Sequence, residues 1–224
     1  MSGGIITHSR IEKNKGGSDS AAIGGIKMSG GLLQFSVIAS NEAGTTVNAF
    51  AGGGRLSGGI IRNCIIYGNQ SGTNGSTGGI YIEGGIMESC TVTGNKGGTA
   101  GGGITAAGGA ITNSIIWANT KYNTTNDVAG TPSLCKYSCA PELSGANNIT
   151  SNPLFKTNGI NYGILHQKGD YRLQHVSPCV NKGATKPWMY SALDMADEKR
   201  LQGSAPDMGA YEASVAGGSV FMFK

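Results

Sequence analysis

Apolar positions alternate with polar ones inside short segments of this chain, and the segments themselves return at a much longer period. Five twelve-residue phrases open with a Gly pair and close on Asn. They are GGIITHSRIEKN from Gly3, GGLLQFSVIASN from Gly30, GGIIRNCIIYGN from Gly58, GGIMESCTVTGN from Gly84 and GGAITNSIIWAN from Gly108. Subtracting those positions gives spacings of 27, 28, 26 and 24 residues. A period of this length signals stacked repeats, each burying its apolar edge against its neighbours. A second Gly pair stands six residues ahead of the phrase in four copies, as GGIKMSG from Gly24, GGGRLSG from Gly52, GGIYIEG from Gly78 and GGITAAG from Gly102. Each repeat therefore holds at least two strands joined by tight Gly turns, and no segment of the first 120 residues reads as a helix.

The pattern predicts an all-β fold, a right-handed parallel β-helix wound as a single-stranded solenoid of about five coils. The repeats occupy residues 1–123, and a loop-rich, irregular C-terminal cap over 124–224 is expected to pack on the last coils. In-register stacking puts like residues in columns. Ile26, Met28, Leu56, Ile80 and Ile82 point inward on one strand, and Ile11, Ile38, Ile66, Val92 and Ile116 on the next. Lys27, Arg55, Tyr81 and Thr105 form an outward row, the candidate ligand-contact face. The closing residues Asn14, Asn41, Asn69, Asn95 and Asn119 stack where the chain leaves the strand. There the tolerance of Asn for left-handed backbone and its amide predict a structural ladder.

Composition narrows the partners. The 39 Gly and 13% charged residues suit a turn-rich solenoid, and the formal charge of +4 is scattered without a Lys or Arg run, which argues against nucleic acid. Cys64 and Cys90 fill a slot held by Ser9, Ser36 and Ser114 in other copies and read as small buried thiols, while Cys135 and Cys139 in LCKYSCAP could close a short loop in an oxidising compartment and Cys179 stands alone. No apolar run approaches the roughly 18 residues a bilayer span needs. The N-terminus MSGGIITHSR lacks the apolar core of a secretory signal and begins inside a phrase. That start predicts a piece of a longer protein whose open coil edge invites end-to-end self-association.

Catalytic chemistry finds little footing. Between Ala21 and Asn126 the only carboxylates are Glu42, Glu83 and Glu88, too few for a Ca²⁺ cluster, and the Gly turn between Glu83 and Glu88 should make that pair diverge. His8, His166 and His175 are scattered, with no nucleophile beside them. The residues thus predict no catalytic group, metal or cofactor.

After Thr120 the text changes to NNITSNPLF from Asn147, GDYRLQHVSPCVNKGA from Gly169 and SAPDMGAYE from Ser204. In order and spacing these resemble the terminal region of bacterial cell-surface β-helix proteins, the choice-of-anchor Q domain proteins of gut Bacteroidetes, over residues 145–212. The repeats are similar to the GGI and FxxN repeats of chlamydial polymorphic outer-membrane proteins, with Ile or Val in place of Phe in IIYGN and TVTGN. The resemblance implies a secreted or surface-exposed member of the pectate-lyase-like superfamily, adhesin-like, with glycans or surface proteins as partners. A polysaccharide lyase or glycoside hydrolase is the alternative it carries. Asn181 stands where the family pattern carries Asp, and the tail ASVAGGSVFMFK is too short for an anchor. Leu154, Phe155, Tyr171, Leu173, Val176 and Val180 are expected to cover the last coil, with Asp207 or Glu212 meeting backbone donors near Gly209.

Overall fold

The computed structural model describes residues 1–17, 21–44, 50–72 and 77–213; the segment 214–224, with most of the tail, lies outside them. The fold is an all-β parallel solenoid of about five turns whose strands stack in three rows. The first row joins the start of Ile26–Gln34 to the start of Gly54–Arg62, then Ile80–Ile82, Ile104–Ala106 and Val128–Gly130. The second runs from Ile5–Thr7 through the ends of those two long strands to Ile86–Glu88, Ala110–Thr112 and Cys135–Lys136. The third stacks Arg10–Glu12, Val37–Ala39, Ile65–Tyr67, Thr91–Thr93 and Ile115–Trp117.

Register follows the phrase. Ile11, Ile38, Ile66, Val92 and Ile116 pair residue on residue, and all but Ile11 of the first coil are completely enclosed. Met28, Leu56, Ile80 and Ile82 fill the same interior from the first row, with Ile26 beside them. Two kinds of Gly serve two needs. A Cβ on Gly53 would lie 2.7 Å from the Gly79 carbonyl oxygen of the next coil, so that position is small because backbones approach there. Gly59 has φ +86°, a turn conformation that L side chains rarely adopt.

The Asn column is continuous. Asn14, Asn41, Asn69 and Asn95 each donate Nδ2 to the Oδ1 of the next Asn at 2.8–2.9 Å, and the same oxygens accept the backbone N–H groups. The left-handed backbone expected of these Asn residues belongs instead to the residue before each, Lys13, Ser40, Gly68, Gly94 and Ala118. The Asn side chain is thereby free to bond along the stack while its neighbour makes the turn. Asp127 ends the ladder, its Oδ1 accepting the Asn119 N–H at 2.8 Å and Nδ2 at 2.7 Å.

Two boundaries differ from the sequence expectation. The winding does not stop at 123, because Val128–Gly130, Cys135–Lys136 and the bridge from Cys139 to Ile115 add a partial sixth coil without the Gly-Gly phrase. The region beyond it is not confined to the last coils. It runs back along the outside of the third row as a strap, with Gly163 N–H donating to Gly68 O at 2.7 Å, Asn63 Nδ2 to Leu193 O at 2.7 Å and Asn113 Nδ2 to Ala184 O at 2.8 Å. Phe155, Tyr171 and Leu173 are buried against Val37, Ala39, Ile65 and Tyr67 of the second and third coils. Val176, expected to cover the last coil, is instead 77% exposed. The reason is visible in the third row, where Val37–Ala39, Ile65–Tyr67 and Thr91–Thr93 are buried on both faces and need an outer cover.

Candidate ligand-contact surfaces

The outward row predicted from the repeats is assembled, with Lys27 beside Arg55, Arg55 beside Tyr81 and Tyr81 beside Thr105 in strict register. Two of its polar groups, those of Arg55 and Thr105, are engaged within the chain. Arg55 grips Glu83 through Nε to Oε2 and Nη2 to Oε1, both 2.9 Å, and its guanidinium lies 4.5 Å from the centre of the Phe50 ring. Phe50 meets Tyr81 edge-on at 5.2 Å, and the Thr105 hydroxyl is 2.6 Å from that of Thr77. Lys27 remains exposed. A two-point Arg–carboxylate pair holds its charge far more firmly than a free Arg offers it to a ligand.

A second surface forms where the strap meets the coil edge. The left-handed turns between second- and third-row strands throw their side chains outward, and in the first two coils these are His8 (φ 48°) and Phe35 (φ 47°), stacked at 5.2 Å with their planes 12° apart. The cleft they line is shared by Trp188, on the 3₁₀ turn Pro187–Tyr190 of the strap. Arg62 lines it too, 4.7 Å over the Trp188 ring, with its Nε 3.1 Å from Glu88 Oε1. That pair is close but poorly aligned, so Arg62 Nε makes no hydrogen bond, and neither does the buried Trp188 Nε1. His8, Phe35, Arg62 and Trp188, with Gln34 and Asp197, line a cleft of about 300 Å³. Two other clefts are on the strap, one dominated by the Asp170–Arg172 ion pair (Nη2 to Oδ2, 2.5 Å) and one by Lys156, His175 and Val176.

The remaining sequence candidates serve the frame. His166 bonds Asn161 O through Nδ1 at 2.7 Å and the Tyr171 hydroxyl through Nε2 at 3.1 Å, and burial lowers its pKa, which favours the neutral ring. Burial pushes Asp127 up to about 7, yet its Oδ1 is committed to the ladder. Asp207 accepts N–H bonds from Asn181 (2.7 Å) and Ala213 (2.6 Å), and Glu212 accepts the Asp207 N–H. These carboxylates thus meet backbone donors near Gly209, as expected, while the N–H of Gly209 itself goes to Asn113 O.

Sequence reasoning missed Phe35, Arg62 and Trp188. For Phe35 and Arg62 a signal was present in the fifth and sixth slots of the phrase, Thr7–His8, Gln34–Phe35, Arg62–Asn63, Glu88–Ser89 and Thr112–Asn113, where residue type varies while the seventh slot holds only Ser or Cys. A slot free to vary inside a strict repeat is a position the solenoid itself does not constrain. No protein-family model matches the chain, and no curated protein matches it.

Proposed function

We propose that the chain is a non-catalytic segment of a larger bacterial surface protein of the choice-of-anchor Q type, one that holds a glycan in the cleft between coil edge and strap. The observation that carries this reading is the gathering of three aromatic rings in one cleft, His8 stacked on Phe35 and Trp188 beside Arg62, together with Gln34 and Asp197. Sugar rings offer apolar C–H faces to aromatic planes and hydroxyls to planar amide, guanidinium and carboxylate groups, and this cleft supplies both. The extracellular face of the cell is the matching location, with host or microbial glycans as partners. A lyase or hydrolase needs perturbed carboxylates open to substrate, and here Asp127, Asp207 and Glu212 are buried in the frame.

A glycan array tests the reading with native chain, Trp188→Ala, Phe35→Ala and a ridge control, Arg55→Ala with Tyr81→Ala. Loss of about tenfold or more in affinity on changing Trp188 or Phe35, with the ridge variant unchanged, is expected, since a tenfold change corresponds to about 1.4 kcal/mol. Undiminished binding by Trp188→Ala, or no glycan retained by the native chain, removes the proposal.

A further inference from the structure

The five cysteines are free and buried, but they are not equivalent. Cys64 and Cys90 belong to a stacked Ser column, their thiols pointing at the carbonyls of Arg62 (3.1 Å) and Glu88 (3.3 Å) much as Ser114 and Ser138 hydroxyls point at Thr112 and Lys136. Residues stacked in register on parallel strands have nearly parallel Cβ vectors, which suits poorly the near-perpendicular torsion of a disulfide. Cys135 and Cys139, the pair that sequence proximity suggested, are on opposite sides of the chain. Cys135 lies in the solenoid interior with Ile111 and Ala140, whereas Cys139 lies under the strap with Cys179.

Cys139 and Cys179 are held by separate frameworks. Cys139 is bridged to Ile115 on one side and Ile149 on the other. Cys179 is fixed on the strap by its N–H to Ser177 Oγ at 3.1 Å and by the Met208 N–H to its carbonyl, also 3.1 Å. Both side chains are enclosed in one apolar cluster with Met208 and Ala210, and the strap brings them together there: the Met208 N–H bonds the Cys179 carbonyl, and the next residue, Gly209, packs on Ile115, the bridge partner of Cys139. We propose that Cys139 and Cys179 form a disulfide when the chain folds in an oxidising compartment, tying the strap to the last coil. This inference is independent of what the cleft binds.

Each thiol gives up one proton and one electron as the S–S bond forms. The electron pair reduces the disulfide of oxidised glutathione, or of a dithiol–disulfide oxidoreductase, to two thiols. In the folded chain the adjoining Cys179 thiol and burial keep Cys139 protonated, and neither sulfur is accessible to an oxidant. The bond therefore forms before the strap docks and is sealed by docking. Closing the loop between positions 139 and 179 restricts the unfolded chain, so the oxidised form is the more stable one.

The full chain, purified reduced, is unfolded, refolded with oxidised glutathione, unfolded again, alkylated and mapped by mass spectrometry. One disulfide joining Cys139 to Cys179 is expected, with Cys64, Cys90 and Cys135 alkylated. Tm should exceed that of the dithiothreitol-treated protein by several degrees. Cys179→Ser should abolish both the bond and the Tm difference, while the double variant Cys64→Ser, Cys90→Ser keeps the bond. Folded, reduced protein given the same oxidant should stay reduced on the refolding timescale. Five alkylated cysteines after oxidative refolding, a bond between any other pair, or oxidation of the folded protein as fast as of the unfolded chain overturns the proposal.

Discussion

In the coils, burial of polar groups is an exchange between equals: Asn41 donates to Asn69, Asn69 to Asn95 and Asn95 to Asn119, each amide neutral and each bond repeated one turn on. In the strap the same problem is met once only and with charge. Arg200 is completely enclosed, with its Nε 3.3 Å from Glu212, its Nη2 donating to the carbonyls of Asp207 (2.9 Å) and Gly209 (2.6 Å), and Asp194 accepting the Glu212 N–H at 2.7 Å. The coils thus resemble a one-dimensional array in which each repeat leans on its neighbours, and the strap a small cooperative knot. Damage to the array should be graded by position, and damage to the knot should release the whole strap.

The largest effect follows from removing the knot's cation. Arg200→Met leaves three carboxylates facing one another without a guanidinium, and deleting one partner of a buried charge group typically costs about 3–5 kcal/mol. Two tryptophans separate the regions, Trp188 on the strap and Trp117 on the fifth coil. In urea, the Trp188 fluorescence of the variant, read in a Trp117→Phe background, should move to lower denaturant well ahead of the far-ultraviolet circular dichroism of the coils. Coincident loss of both, with the native midpoint, would mean that strap and coils are one unit and that the comparison fails.

The contrast also explains what could be read from the sequence. The coils were legible because each column repeats: Ile38 over Ile66 and Asn41 over Asn69 restate one rule per turn, and the outward row Lys27–Arg55–Tyr81–Thr105 was placed in register from the phrase alone. Asp127 and the partial sixth coil were not, since a carboxylate replaces the ladder amide and the Gly pair is gone. The strap's course was hidden because its contacts, Asn63 to Leu193 and Asn113 to Ala184, span 130 and 71 residues and occur once each. One clue to it was present. Segments such as VIA and IIY are apolar on both strand faces, the mark of a strand covered on two sides. The cleft depends on that course, so Arg62 could not be joined to Trp188 before the strap was placed.

A charged ladder end should behave differently from its neutral rungs, and pH exposes this. Burial raises Asp127 to about 7, with the Glu142 carboxylate nearby adding to the shift, so the folded chain binds this proton more tightly than the unfolded chain, where Asp titrates near about 3.9. The associated stability is fully present below about pH 4, drains as pH rises toward about 7 and is gone above it. Asp127→Asn keeps an oxygen for Asn119 and removes the charge. At pH 8 it should be more stable than the native chain by about 4 kcal/mol, the gap narrowing steadily as pH falls toward 5. Urea midpoints at four pH values measure this, and a gap independent of pH would mean that Asp127 does not titrate in this range.

The smallest effects belong to the rungs and should fall off from the buried rungs to the exposed Asn14 of the first coil. Asn69→Ala deprives two buried donors of Asn41, its N–H at 3.0 Å and its Nδ2 at 2.9 Å, of their acceptor and leaves the Ile38 carbonyl without the Asn69 amide. A loss of about 2 kcal/mol is expected, because buried groups lose a partner that water cannot replace. Asn14 is exposed and only donates to the ladder, through N–H and Nδ2 to Asn41 Oδ1, so Asn14→Ala should cost below about 1 kcal/mol, water taking the vacated position. The two variants differ in burial and in which side of the stack they break, not in residue type or turn geometry. Equal losses in urea unfolding would therefore show that the column contributes through the turn each Asn occupies and not through the bonds that join one coil to the next.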